Sequence, residues 1–331
     1  MKLSFFPGVA TFSLGLSLLS ICTAQAGQAE LHLDTSLPAG KGLVAQTQWL
    51  DIQVNPVAGD KVTVKADLYL EASGSDESVK KTLENQRVVA ERSGEDVVIR
   101  QEKVHGYSGN SKSRGSLVIG VPAGVSLRLL TGSGDVVVTG VMGNSDAVVE
   151  TGSGNVAFKD GFSGDELHAS TGSGDVVLSG QARILKVEAA SGDVRIKVAQ
   201  PLEQLVVDSA SGDVTLEGGA YRADVDTASG EITLANLQGS VEADAASGDI
   251  TLGWGQVVAG SRISADTASG DVVMLFPAGL DLGGNLSTSS GRIQFPSGNA
   301  TFKDAREVAL KGTHAQVEAN TVSGDVRLEW R

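Results

Sequence analysis

Ser-Gly followed by a polar residue and then Val or Ile recurs at Gly134, Gly154, Gly174, Gly192, Gly212, Gly230, Gly248, Gly270, Gly291 and Gly324. Most neighbours stand 18 to 22 residues apart, the length of one solenoid coil. Each Gly lies between two runs of period-2 alternation, the pattern of short strands joined by a tight turn. Leu205, Val207 and Ser209 alternate with Val206, Asp208 and Ala210, and after the turn Val214 and Leu216 flank Thr215. Val225, Thr227, Ile232 and Leu234 keep this phase, as do Val241, Ala245, Ile250 and Leu252. One such unit cannot bury its apolar side alone, whereas coils stacked about 4.8 Å apart share a continuous narrow core. The expected fold is all-β: a single-stranded parallel β-helix, or β-solenoid, of about 18–22-residue coils.

The turn explains its own residues. Gly tolerates positive φ, and the Asp after it is expected to cap backbone N–H groups within the turn. Asn155, Glu231 and Arg292 replace that Asp in three coils, which marks a turn and surface position and excludes an obligatory ligand. The serines before each Gly, from Ser133 to Ser323, are expected to stack in one line as a hydroxyl ladder that satisfies itself and the turn backbone. Nucleophilic catalysis would need an adjacent base, and His32, His105, His168 and His314 are scattered. Gly-Ser-Gly-Asp at 132–135 and its relatives resemble a calcium-binding nonapeptide only in spelling, because the turn returns once per coil of twice that length. None of these turns opens a helix or precedes Gly-Lys-Ser or Gly-Lys-Thr, so they are not phosphate loops.

The ends of the chain differ. Lys2, an apolar stretch from Val9 to Cys22 and Ala24-Gln25-Ala26 form a signal-peptide pattern over residues 1–26, with cleavage expected after Ala26. The apolar stretch is too short for a good spanning helix, so the mature chain is expected to be soluble, without a transmembrane segment, and periplasmic or secreted to the cell surface. Cys22 is the single cysteine, so the mature chain would carry no disulfide. A lipidated Cys22 is the rival reading, though Ile21 fits poorly where a small residue is expected. Residues 27–120 read as irregular coils and a cap, with a short N-terminal capping or flanking helix over Asp76–Arg92 that places Val79, Leu83 and Val88 on one side. Residues 121–331 read as the repeat solenoid. The long last gap, which holds Phe295-Pro296-Ser297-Gly298 and Lys303 to Thr313, reads as a coil with an insertion or a degenerate repeat.

Glu150, Glu188, Asp208, Asp226, Asp244 and Asp266 each stand six residues before the Val or Ile that follows a turn, in the outward phase. Asp224 and Glu242 lie two residues earlier on the same side. Stacking would set them in an acidic ladder, in which like charges about 4.8 Å apart repel by roughly 0.9 kcal/mol at bulk dielectric. This is the candidate binding face, for weak divalent cations or a basic partner; the alternative is a solvated acidic surface that discourages lateral pairing. The net charge of −14 argues against nucleic acid. No cofactor, metal or catalytic set is indicated. A carbohydrate-active β-helix enzyme, a lyase or hydrolase, would need paired carboxylates in a groove and exposed rings, yet Trp49, Trp254 and Trp330 are far apart in the repeat.

Thr131-Gly132-Ser133-Gly134-Asp135-Val136, Ala190-Ser191-Gly192-Asp193-Val194 and Val322-Ser323-Gly324-Asp325-Val326, with Val121-Pro122-Ala123-Gly124 before the first, resemble the bacterial putative-adhesin domain family of unknown function. The resemblance covers most of the mature chain. It implies a β-solenoid of the cell envelope and carries over no catalytic residue. The function expected is that of a non-enzymatic envelope or secreted scaffold that presents an extended acidic surface to a surface partner, protein or glycan.

Overall fold

In the computed structural model each repeat supplies one strand to each of two long sheets, with the Ser-Gly-Asp turn at the bend between them. The structure describes residues 22–25, 27–72, 75–102, 111–141, 143, 145–295, 300–304 and 306–331. Most of the expected signal sequence, including Lys2 and the run from Val9 to Ile21, lies outside these residues. So do His105 and Pro296-Ser297-Gly298. Cys22–Gln25 is an antiparallel partner of the strand that follows it.

Successive coils pair in parallel and in register. Val207, Val225, Ala243 and Ala265 follow one another in one sheet, and Leu216, Leu234, Leu252 and Met274 in the other. Both rows are buried and face each other across a thin core. The expected alternation is therefore the observed one, and its cause is the pleat: every second side chain points into the space between the sheets. The fold is a parallel β-solenoid.

The turn uses its residues differently from the expectation. A Cβ on Gly154 would lie 1.9 Å from the carbonyl oxygen of Gly134 in the adjacent coil, and one on Gly324 would lie 2.0 Å from that of Gly270. Close approach between coils therefore requires glycine throughout the column, and positive φ adds to it at Gly192 (121°) and Gly212 (128°). The Asp does not cap its own turn. Asp135 Oδ1 accepts from Asn155 N (2.8 Å), Asn155 Oδ1 from Asp175 N (2.8 Å), Asp175 Oδ1 from Asp193 N (3.0 Å) and Asp193 Oδ1 from Asp213 N (3.0 Å). Each of these four side chains thus caps the next coil. Asp51 begins the ladder by accepting from Asp135 N. Arg292 ends it: its N–H donates to Asp325, and its strand is the last of its sheet, with no further coil to cap.

The serines do stack, as Ser211, Ser229, Ser247, Ser269 and Ser323 show, but they are exposed. The hydroxyl ladder that serves the turn backbone belongs to buried threonines three residues before the Gly. Thr151 Oγ1 donates to Gly134 O (3.1 Å) and accepts from Gly154 N (3.0 Å). Thr171, Thr267 and Thr321 donate likewise to Gly154, Gly248 and Gly270. Burial decides between the two rows, because a threonine inside the bend has no water to compete for its bonds.

Coils from Ser126–Val141 to Arg262–Phe276 stack in chain order, but both ends depart from it. Gly42–Gln46 lies between Asp96–Gln101 and Ser126–Thr131, while Asp51–Pro56 lies between Ser111–Val121 and Val136–Val141. At the other end Ala315–Ser323 lies between Arg262–Ser269 and Leu282–Ser290, and Val326–Trp330 lies between Val272–Phe276 and Ile293–Gln294. The tip is a complete coil, Leu282–Ser290 and Ile293–Gln294 about the Gly291 turn, and the long last gap after it holds an insertion, the antiparallel pair Ala300–Asp304 and Glu307–Lys311, which covers the edge of Leu282–Ser290. Antiparallel Gln28–Pro38, Lys61–Ala72 and Val88–Ser93 do the same at the N-terminal end. Such cover blunts the unpaired edges of a solenoid.

The expected helix is shorter than its periodicity suggests. It spans Asp76–Glu84, with the Ser75 side chain accepting from Ser78 N at its start. Val79 and Leu83 are buried from it, whereas Val88 is buried from a strand after the chain turns at Asn85 and Gln86. Trp254 and Trp330 are not far apart: Trp254 stacks on Phe276 at 4.5 Å between centroids, and Phe276 meets Trp330 edge-on at 6.2 Å. Counting along the chain misses this contact because the last coil folds back beside residues 272–276.

Candidate functional site

Just before each turn the inward positions of the sheet that carries the acidic residues hold only small side chains. Ala189, Ser209, Thr227, Ala245, Thr267 and Thr321 succeed one another there. They form the floor of an open groove of about 1150 Å³ that runs along the stack from Ser170 to Ser289. At about 4.8 Å per coil its eight coils extend roughly 34 Å. One wall is the outward row one residue earlier. The other is Ala190, Ala210, Ala228, Ala246, Ala268 and Val322, one residue later.

Strand register brings Glu188, Asp208, Asp226, Asp244 and Asp266 together as immediate neighbours in the first wall. Asn320 and Ser287 continue the row. Glu150 is set apart from it by Ser170, lies in the adjoining stretch of groove and pairs with Arg128 at 3.0 Å. Glu188 has His168 Nε2 at 3.6 Å. Asp266 accepts from Ser264 Oγ (3.1 Å) and Asn320 Nδ2 (2.6 Å). Asp224 and Glu242 are themselves register partners in the second outward row.

Crowding shows in the titration of the central members. Burial, then the charges of Asp266, Asp226, Glu242 and Asp224, push Asp244 up to about 6. Burial, then Asp224, Asp208 and Glu242, push Asp226 up as well. Three polar atoms in consecutive coils here have no hydrogen-bond partner: Ser209 Oγ, Thr227 Oγ1 and Asp244 Oδ1. Burial and mutual repulsion of the row therefore cost the fold stability locally while these carboxylates are charged.

Of the described histidines, only His168 stands beside the row. His32 bonds Asp67 Oδ1 (2.6 Å) and His314 meets the Val257 carbonyl (3.0 Å). Among the described residues no three His, Cys, Asp or Glu are placed to hold a metal ion. No helix among them is long and apolar enough to cross a membrane. Sequence reasoning missed the groove floor and the Asn320 end of the row. The floor was signalled by its small residues, whereas nothing in chain order foretold that residues 315–330 insert beside residues 262–276.

The sequence matches the family described as Toastrack DUF4097 over residues 46–199 and again over 164–329. No curated protein matches it. Similar solved structures include a putative lipid binding protein from Parabacteroides distasonis ATCC 8503, 15% identical over 90% of this chain and 96% of that one, with a TM-score of 0.44. A putative adhesin from Bacteroides fragilis NCTC 9343 is 11% identical over 90% and 96% of the two chains, with a TM-score of 0.36.

Proposed function

The chain belongs to the Toastrack DUF4097 family, and from that premise we propose that it is a non-enzymatic, adhesin-like binding protein, exported to the envelope or secreted, whose working surface is the acidic groove. One observation carries this reading: five carboxylates, from Glu188 to Asp266, stand on consecutive coils along a single concave wall. A row of like charges costs stability at every step, and Asp244 keeps a buried carboxylate oxygen without a partner. A merely solvated face would be served as well by charges of mixed sign. The strands elsewhere have such charges, in pairs such as Arg195 with Asp175 and Lys186 with Glu166.

The test compares binding of the purified protein and its Asp208→Asn/Asp226→Asn/Asp244→Asn variant to envelope fractions, alongside a screen for polysaccharide turnover. Binding by the parent, its loss in the variant and no turnover support the reading. Equal binding by both, or turnover of any polysaccharide, overturns it.

A further inference from the structure

We propose that the mature chain is a two-fold dimer in which Gln28–Pro38 pairs antiparallel with the same strand of a second copy, about an axis at Leu33. The inference rests on the reading of the chain as exported, because removal of residues 1–26 takes away Cys22–Gln25, the strand paired with residues 28–31. Gln28–Pro38 then ends its sheet along all 11 of its residues. The other strands that end the two sheets, Val88–Ser93, Ile293–Gln294 and Ala300–Asp304, have only 6, 2 and 5. A long open edge is a template for a further strand. Its backbone is aimed for one. Ala72 N donates to Gly27 O (2.9 Å) and Ala39 N to Asp60 O (2.7 Å), both in the register of the pairing with Lys61–Ala72. Bonding alternates along an antiparallel pair, so the odd-numbered residues bond that neighbour. Gln28, Glu30, His32, Asp34 and Ser36 therefore turn their N–H and C=O groups to the open side.

The strand is complementary to itself. Antiparallel pairing about Leu33 sets Gln28 opposite the partner's Pro38 and so uses the edge from end to end, with about ten backbone hydrogen bonds. On the outer face His32 comes opposite the partner's Asp34, and Asp34 opposite the partner's His32. His32 holds Asp67 through Nδ1 (2.6 Å), while Nε2 has only Glu30 at 3.7 Å, which leaves it a donor for a second carboxylate. An axis at His32 would instead set Glu30 against the partner's Asp34, and an axis at Asp34 would set two Asp34 carboxylates face to face. On the inner face Leu33 meets the partner's Leu33, Leu31 the partner's Thr35, and Ala29 the partner's Leu37. Leu33 and Leu37 pack against the core yet are only partly buried, and pairing covers them. The place for the second strand is already roofed. The helix Asp76–Glu84 lies against both Gln28–Pro38 and Cys22–Gln25, so it overhangs the edge. Beneath it Cys22 and Ala24 stand opposite Leu31 and Ala29, the positions that the partner's Thr35 and the partner's Leu37 would take.

The test expresses the full chain with its leader, recovers the exported protein, reads its N-terminus by intact mass and follows its association by sedimentation velocity across a dilution series. The proposal expects one monomer–dimer equilibrium, because two-fold pairing is closed. Asp34→Pro should weaken it at least about tenfold, since it removes an N–H from the open side and none that the fold uses. Leu33→Cys, in a mature chain without another cysteine, should give a disulfide-linked dimer on mild oxidation, as the two Cα atoms would stand about 4.5 Å apart. Ser36→Cys, about 20 Å from its copy, should not. The cysteine pair decides the matter if the proline variant melts early. A monomer at every concentration, an open-ended series of oligomers, or equal cross-linking of the two cysteine variants would overturn the proposal. A chain that begins at Gly27 and stays monomeric would refute the dimer alone. A chain that keeps residues 1–26 would refute the export reading, and the dimer with it.

Discussion

Replacing Asp244 by Asn should stabilise the protein at pH 7.5. Its carboxyl is raised from an ordinary 3.8 to about 6, first by burial and then by Asp266, Asp226, Glu242 and Asp224. Because the folded pKa lies above the unfolded one, the folded state holds the extra proton between about pH 4 and pH 6, and stability falls as pH rises through that window. Below about pH 4 the carboxyl is protonated in both states and the penalty is absent; above about pH 6 it is complete. A shift of that size corresponds to about 3 kcal/mol before discounting, and partial exposure with salt screening brings it to about 1 kcal/mol. Asn keeps the shape and removes the charge, so it should recover most of that amount at pH 7.5 and almost none at pH 4. Urea unfolding of parent and variant at the two pH values measures the difference directly. An Asn variant no more stable than the parent at pH 7.5, or a gain of equal size at pH 4, would refute the electrostatic account of the row.

Glycine, turn and aromatic positions give four further expectations. Gly212→Ala should cost more than about 2 kcal/mol, because its Cβ would lie 2.1 Å from the Gly192 carbonyl oxygen at a φ of 128°. Gly260→Ala, where φ is 83° but the space is open, should cost only about 1 kcal/mol in the same denaturation series. Asp193→Ala removes the acceptor of the Asp213 N–H and should lose about 1–2 kcal/mol, with faster amide exchange at Asp213 as its local signature. Phe276→Ala, which takes a fully buried ring from between Trp254 and Trp330, should lose about 3–5 kcal/mol and shift the tryptophan fluorescence to the red.

The coil was legible in the sequence because its causes are local. Leu205, Val207, Val214 and Leu216 alternate about a glycine whose need is the same in every repeat. The outward phase of Asp208, Asp226 and Asp244 follows from the same period. Relations between coils were legible only where chain order equals stacking order. From Ser126 to Phe276 it does, and there the acidic row is correctly assembled. At residues 42–56 and 315–330 it does not, so Asn320 in the row and Trp330 against Phe276 were hidden. The Asp ladder was hidden for another reason. A carboxylate beside a glycine can bond its own turn or the next, and only the distance between coils decides. Arg292, which looked like tolerance at a surface site, occupies the one place in the ladder with no coil beyond it.

Whether the groove is the working surface is tested most directly by photo-crosslinking in intact cells, with benzoylphenylalanine placed singly at Ala228 in the groove wall or at Arg195 on the opposite sheet. The account predicts a discrete cross-linked product from position 228, lost when Asp208, Asp226 and Asp244 are changed to Asn, and none from position 195. Equal products from both positions, or a product from 228 that survives neutralisation of the row, would contradict it.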